Sequence, residues 1–169
     1  MIVVSDTSPL NYLVLLSAVD VLPKLFREGY VPPQVMEELR QPKTPEPVKR
    51  WAYSPPGWLN VLAPTTAFVI AVRLDPGESQ AIALAKQLRA TTILIDDKKG
   101  RRVAKQEGLN AVGTITVLEL AALKNLLELE PALDSLRRTT FRISATHIQA
   151  ALERHAARKL ADPHRSHQK

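Results

Sequence analysis

The sequence predicts an α/β protein, a three-layer α/β/α sandwich around a central parallel sheet. Three observations lead there. Its strands are short and uniformly apolar, as in a sheet covered on both faces. They alternate with helical segments that carry their own start and stop signals. The 169 residues suit one domain with a real core, at 45% hydrophobic and 24% charged residues.

Ile2-Val3-Val4 is the first strand, β-branched throughout. Ser8-Pro9 then opens a helix, with Ser8 as N-cap, Pro9 at N1 and an apolar stripe at Leu10, Leu13 and Val14. A second helix is expected over Val19–Phe26, broken by Gly29 before a Tyr30-Val31 strand. Pro32-Pro33 starts a helix that turns Val35, Met36 and Leu39 inward and stops at Pro42. Eight of the 13 prolines fall between positions 32 and 64, so this stretch is the least regular; Lys49–Tyr53 reads as a short helix and Trp58–Leu62 as a strand. Asp75-Pro76-Gly77-Glu78 combines an N-cap acid, Pro at N1 and Glu at N3, and starts a helix to about Leu88. Thr92–Ile95 is a strand ended by Asp96-Asp97, and a basic helix over Lys98–Glu107 closes at Gly108. Ala111-Val112 is a strand, and Thr116 with Glu119 forms a capping box for an apolar helix to about Leu127. Helices near Pro131–Arg138 and Thr146–Leu160 complete the pattern. The expected division is a domain over 1–150, then a basic helix end and frayed tail over 151–169.

Composition narrows the function. With no cysteine, disulfides, thiol nucleophiles, zinc–cysteine sites and iron–sulfur clusters are excluded. No apolar run approaches the roughly 20 residues that span a bilayer, so no membrane role is expected. The start reaches an acid at Asp6 without a basic region before it, which predicts a cytoplasmic protein. The net charge of +6 resides in residues 137–169, with 8 basic and 2 acidic side chains, whereas residues 1–136 carry 15 of each. All four histidines, His147, His155, His164 and His167, lie in that basic segment. A neutral body with a basic tail suits an anionic partner such as RNA, or simply a solvated helix end.

Acids stand where ligands bind in such folds, at the carboxyl ends of the strands. Asp6 follows the first strand, and Asp96 and Asp97 follow the Thr92–Ile95 strand. On the helix after Pro32-Pro33, with Val35 at 0° and 100° per residue, Glu38 falls near 300°, beside the buried stripe, and Glu37 near 200°, toward solvent. Glu78 is the fourth. Converging carboxylates repel, and a hard divalent cation relieves the conflict; oxygen-only donors favour Mg²⁺ or Mn²⁺ over Zn²⁺. The chemistry that fits is phosphodiester hydrolysis. Each acid also has a local reading: Glu78 as N3 of its capping box, Asp96 or Asp97 as a helix cap, and Glu38 as a first-turn acid. Asp6 has none while Ser8 is the cap. Ser8 is a cap or a hydroxyl partner for the site, and Asn11 is equally open. Lys98, Lys99, Arg101 and Arg102 form a solvated face or a phosphate-binding patch. Trp51, Tyr53 and Trp58 either pack or stack on bases.

Five stretches carry a resemblance: Ser5-Asp6-Thr7-Ser8-Pro9-Leu10, Val31–Leu39, Leu74–Ala85, Ile93–Ala104 and Gly108–Thr114. In this order and spacing, over about residues 1–150, they resemble the PIN-domain superfamily of metal-dependent ribonucleases, in a prokaryotic branch similar to VapC-type toxins. The resemblance implies a PIN-like sandwich in which Asp6, Glu38, Glu78 and Asp97 are the acidic quartet holding Mg²⁺ or Mn²⁺. Asp96 assists or substitutes, and Ser8 matches the small hydroxyl residue after the first acid. It further implies an endoribonuclease, the toxin of a type II toxin–antitoxin pair, as a homodimer inhibited by a small antitoxin. The alternative is a PIN-fold RNA- or protein-binding module without nuclease activity.

Overall fold

The computed structural model describes residues 1–65 and 73–161. By compactness it forms two units, Met1–Thr114 and Ile115–Lys169. The first holds a five-stranded, all-parallel sheet in the order β3-β2-β1-β4-β5. The strands are β1 (Ile2–Ser5), β2 (Glu28–Val31), β3 (Leu59–Val61), β4 (Thr92–Leu94) and β5 (Asn110–Val112). Nine α-helices are seen among the described residues. Those of the first unit are α1 (Thr7–Leu15), α2 (Leu22–Leu25), α3 (Pro33–Leu39), α4 (Glu46–Tyr53), α5 (Pro76–Gln87) and α6 (Lys98–Gln106).

Strand order fixes the layers. From β1 the chain moves outward to β2 and β3, then returns to the other side of β1 for β4 and β5. Right-handed crossovers put α1–α4 on one face and α5 and α6 on the opposite face. The core agrees. Val4, Ile93 and Ile95 pack with Ala81, Ile82 and Leu84 of α5 and with Val103 and Ala104 of α6. Val3, pointing the other way along the pleat, shares a small cavity with Leu22, Pro23 and Phe26 near α2. The order reverses between β1 and β4, where Val3 pairs with Thr92 and Ser5 with Leu94. Side chains just past both strands therefore meet at the switch point of the sheet.

Several elements differ from expectation, each for a local reason. Helix α1 begins at Thr7, so Asp6 holds the N-cap position and Ser8 is already the second helical residue. The Val19–Phe26 segment is a 3₁₀ turn, Val19–Val21, followed by the single turn of α2. Pro23 has no N–H to give the Val19 carbonyl, and Leu22 N–H takes that carbonyl instead. Trp58 is a packing residue: a Cβ on Gly29 would stand 3.3 Å from its ring. Arg40 lies 5.3 Å over the Tyr53 ring and donates to the Ala52 carbonyl.

The second unit continues α7 (Thr114–Leu123) and adds α8 (Leu129–Arg137) and α9 (Ala145–Ala161). Helix α7 starts two residues before the expected Thr116 cap and ends before Leu127, where Asn125 turns left-handed at φ 56°. Glu119 is therefore no capping residue. It is 2% exposed and faces Arg154 at 2.5 Å and Arg158 at 3.6 Å. Leu118, Leu133 and Leu136 are the largest fully buried side chains of this unit. His164 and His167, with the end of the basic tail, lie outside the described residues. No helix among the described residues is long and apolar enough to cross a membrane.

Candidate metal centre

Asp6 sits one residue past β1, and its N–H donates to the Leu94 carbonyl at 2.9 Å, tying it to the end of β4. Though at the N-cap position, its carboxylate makes no capping hydrogen bond. It is 5% exposed. Its pKa is pushed up to about 7, above all by burial; the Thr7 N–H opposes this, and the charges of Glu78, Glu38 and Asp96 add to it. A buried carboxylate beside three others and without a cation among these influences is the electrostatic centre of the site.

Its neighbours are held from several elements. On α3, Glu38 accepts from the Thr7 hydroxyl, from the Gly77 N–H at 2.9 Å and from the Gln34 amide at 3.3 Å. This joins α1, α3 and α5. Glycine at 77 leaves room for the carboxylate in this position, since a Cβ there would meet the two Glu38 oxygens at 2.5 and 2.8 Å. Glu37 is exposed and Glu38 half-buried, as the helical geometry predicts. Glu78 accepts from the Asp75 N–H at 3.2 Å, and with the reciprocal bond from its own N–H to the Asp75 side chain the expected capping box is complete, yet Glu78 is itself 7% exposed. Burial raises its pKa, the Asp75 N–H lowers it, and Asp97, Asp75 and Glu38 raise it.

The two adjacent aspartates part company. Asp97 is exposed and caps α6, its Oδ1 accepting from Lys99 N–H at 2.7 Å and Gly100 N–H at 3.0 Å. Asp96 is the one whose charge acts on Asp6. It accepts from the N–H and the hydroxyl of Thr114, each at 2.7 Å. Burial raises the Asp96 pKa, while both Thr114 bonds and Arg101 lower it. None of these carboxylate hydrogen bonds involves Ser8 or Asn11, both half-buried on α1. Among the described residues, no three His, Cys, Asp or Glu side chains stand together as a ready set of metal ligands.

The basic patch is also rearranged. A shallow depression of about 610 Å³ is lined by Lys98, Arg101, Arg102, Lys105 and Gln106, along one face of α6. Lys99 is not part of it; its Nζ is drawn to the Arg73 carbonyl.

Sequence reasoning misses Thr7, Thr114 and Lys105. Thr7 is overshadowed by Ser8, whose cap reading fails because α1 starts a residue earlier. Lys105 follows Lys98, Arg101 and Arg102 at i, i+3, i+4, i+7 spacing, a signal present in the sequence.

A family model described as DUF3368, PIN domain, matches residues 2–157. No curated protein matches the chain.

Proposed function

The chain belongs to the PIN-domain family, and from that premise we propose that it is a metal-dependent nuclease with RNA as substrate. The observation that supports this most is Asp6, buried at the switch point with its carboxyl shifted up to about 7 beside Glu78, Glu38 and Asp96. The donor chemistry fits a hard divalent ion, Mg²⁺ or Mn²⁺: oxygen only, buried, and short of positive charge. In this reading an ion would draw Asp6, Asp96 and Glu78 together, since they do not stand as a ready set without it. Glu38 fixes the relative position of α1, α3 and α5, and Asp97, spent on its cap, orders α6. When bound, such an ion neutralises converging carboxylates and phosphate and acidifies a bound water. Lys98, Arg101, Arg102 and Lys105 take the phosphates of the strand. The finer reading is the toxin of a type II toxin–antitoxin pair, working as a homodimer and inhibited by a small antitoxin protein.

Asp6→Asn tests the proposal. The variant should fold and lose Mn²⁺-dependent cleavage of an RNA panel; undiminished cleavage rejects the assignment. Growth arrest on expression, relieved by the same substitution, tests the toxin role. A second reading, a PIN-fold binding module without nuclease activity, is favoured by one observation: Glu38, Asp96 and Asp97 already have hydrogen-bond donors. Calorimetric titration with Mn²⁺ separates the two, since the module should show no carboxylate-dependent site.

A further inference from the structure

We infer that Thr114 is a positioning residue for the reaction, acting through Asp96. The inference rests on the nuclease reading and adds a role which that reading does not need. Leu94 of β4 pairs with Val112 of β5, so residues two steps past each strand, 96 and 114, come level at the same sheet edge. Thr114 is completely buried. It opens α7, so its N–H lacks the partner an interior helical residue would have. That N–H goes to Asp96 Oδ1 and the hydroxyl to Oδ2, both at 2.7 Å. Two donors from one residue, one to each oxygen, fix both the position and the rotation of the carboxylate. Gly113 makes room: a Cβ there would stand 3.0 Å from Asp96 Oδ1 and 3.5 Å from an Arg101 guanidinium nitrogen. Gly113-Thr114 thus forms a seat that holds Asp96 toward Asp6.

Removing a partner of this kind typically costs about 10- to 100-fold in metal affinity or turnover. Thr114→Val keeps shape and N–H and loses only the hydroxyl. It should weaken Mn²⁺ binding, read by calorimetry with Mn²⁺ alone, and lower kcat on a single-stranded RNA oligonucleotide by about that factor, with KM unchanged. Thr114→Ser should restore most of both, and Gly113→Ala should shift both in the direction of the valine variant. Thermal melts of all three establish that they fold. Full Mn²⁺ affinity and kcat in the folded valine variant overturn the role of Thr114, as does a serine variant no better than valine. Wild-type protein that binds Mn²⁺ but cleaves nothing overturns the nuclease reading and leaves Thr114 to be judged on affinity. Wild-type protein that does neither overturns both.

Discussion

At the scale of single residues, Asp6 is a carboxyl group buried at a cost to folding. Its folded pKa, about 7, lies above its ordinary value of 3.8. The folded state therefore keeps a proton that the unfolded chain releases between about pH 4 and 7, and stability falls as pH rises through that window. Asp6→Asn should be more stable than wild type at pH 8 in EDTA, by up to a few kcal/mol, with the gap closing toward pH 4. Denaturant melts of both proteins across that range measure it; a gap independent of pH would contradict the account. Added Mn²⁺ should raise the wild-type Tm at pH 8 and leave the variant's unchanged. The neighbouring aspartates give a second test. Asn caps helices about as well as Asp, so Asp97→Asn should keep most of the cleavage rate while Asp96→Asn loses it. The reverse order would restore the quartet that the resemblance implies. The choice is not legible in the sequence because both aspartates follow one strand, and what separates them is Thr114, brought in by strand register rather than by local sequence.

At the scale of elements, local signals are legible and shared ones are not. The Asp75-Pro76 start of α5, the Gly108 stop after α6 and the inward face of α3 are all encoded within a few residues, and the structure has them. The start of α7 is harder to place because Thr116 and Glu119 imitate a capping box, whereas Glu119 is buried against two arginines from α9. Removing Arg154 and Arg158 together strands a buried charge; replacing Glu119 with Gln leaves two half-exposed arginines. The double Met variant should therefore lose more stability than Glu119→Gln, by chemical denaturation. Gly77 carries a further prediction. Alanine normally favours a helix over glycine by up to about 1 kcal/mol. Gly77→Ala should gain less than that in chemical denaturation, because its Cβ would displace the Glu38 carboxylate and break its bond to the residue 77 N–H. For α6, reversing Arg102 or Lys105 to Glu should weaken RNA binding and flatten its salt dependence by about 0.7 in log–log slope for each phosphate no longer neutralised. An unchanged slope would remove that face from the RNA path.

At the scale of the whole molecule, the parallel sheet and its covering helices are legible because apolar strands and capped helices alternate along the chain. Of the basic charge that the sequence concentrates in residues 137–169, Arg154 and Arg158 face the buried Glu119 of their own unit. Sheet order has one more result. The first strand waits for a second partner made long after it, since Val3 pairs with Thr92. On the ribosome, a growing chain exposes Asp6 well before Asp96 exists. A chain cut short before Thr92 carries Asp6, Glu38 and Glu78 but has neither Asp96 nor the strand whose pairing with β1 brings residue 96 to the same sheet edge as Asp6.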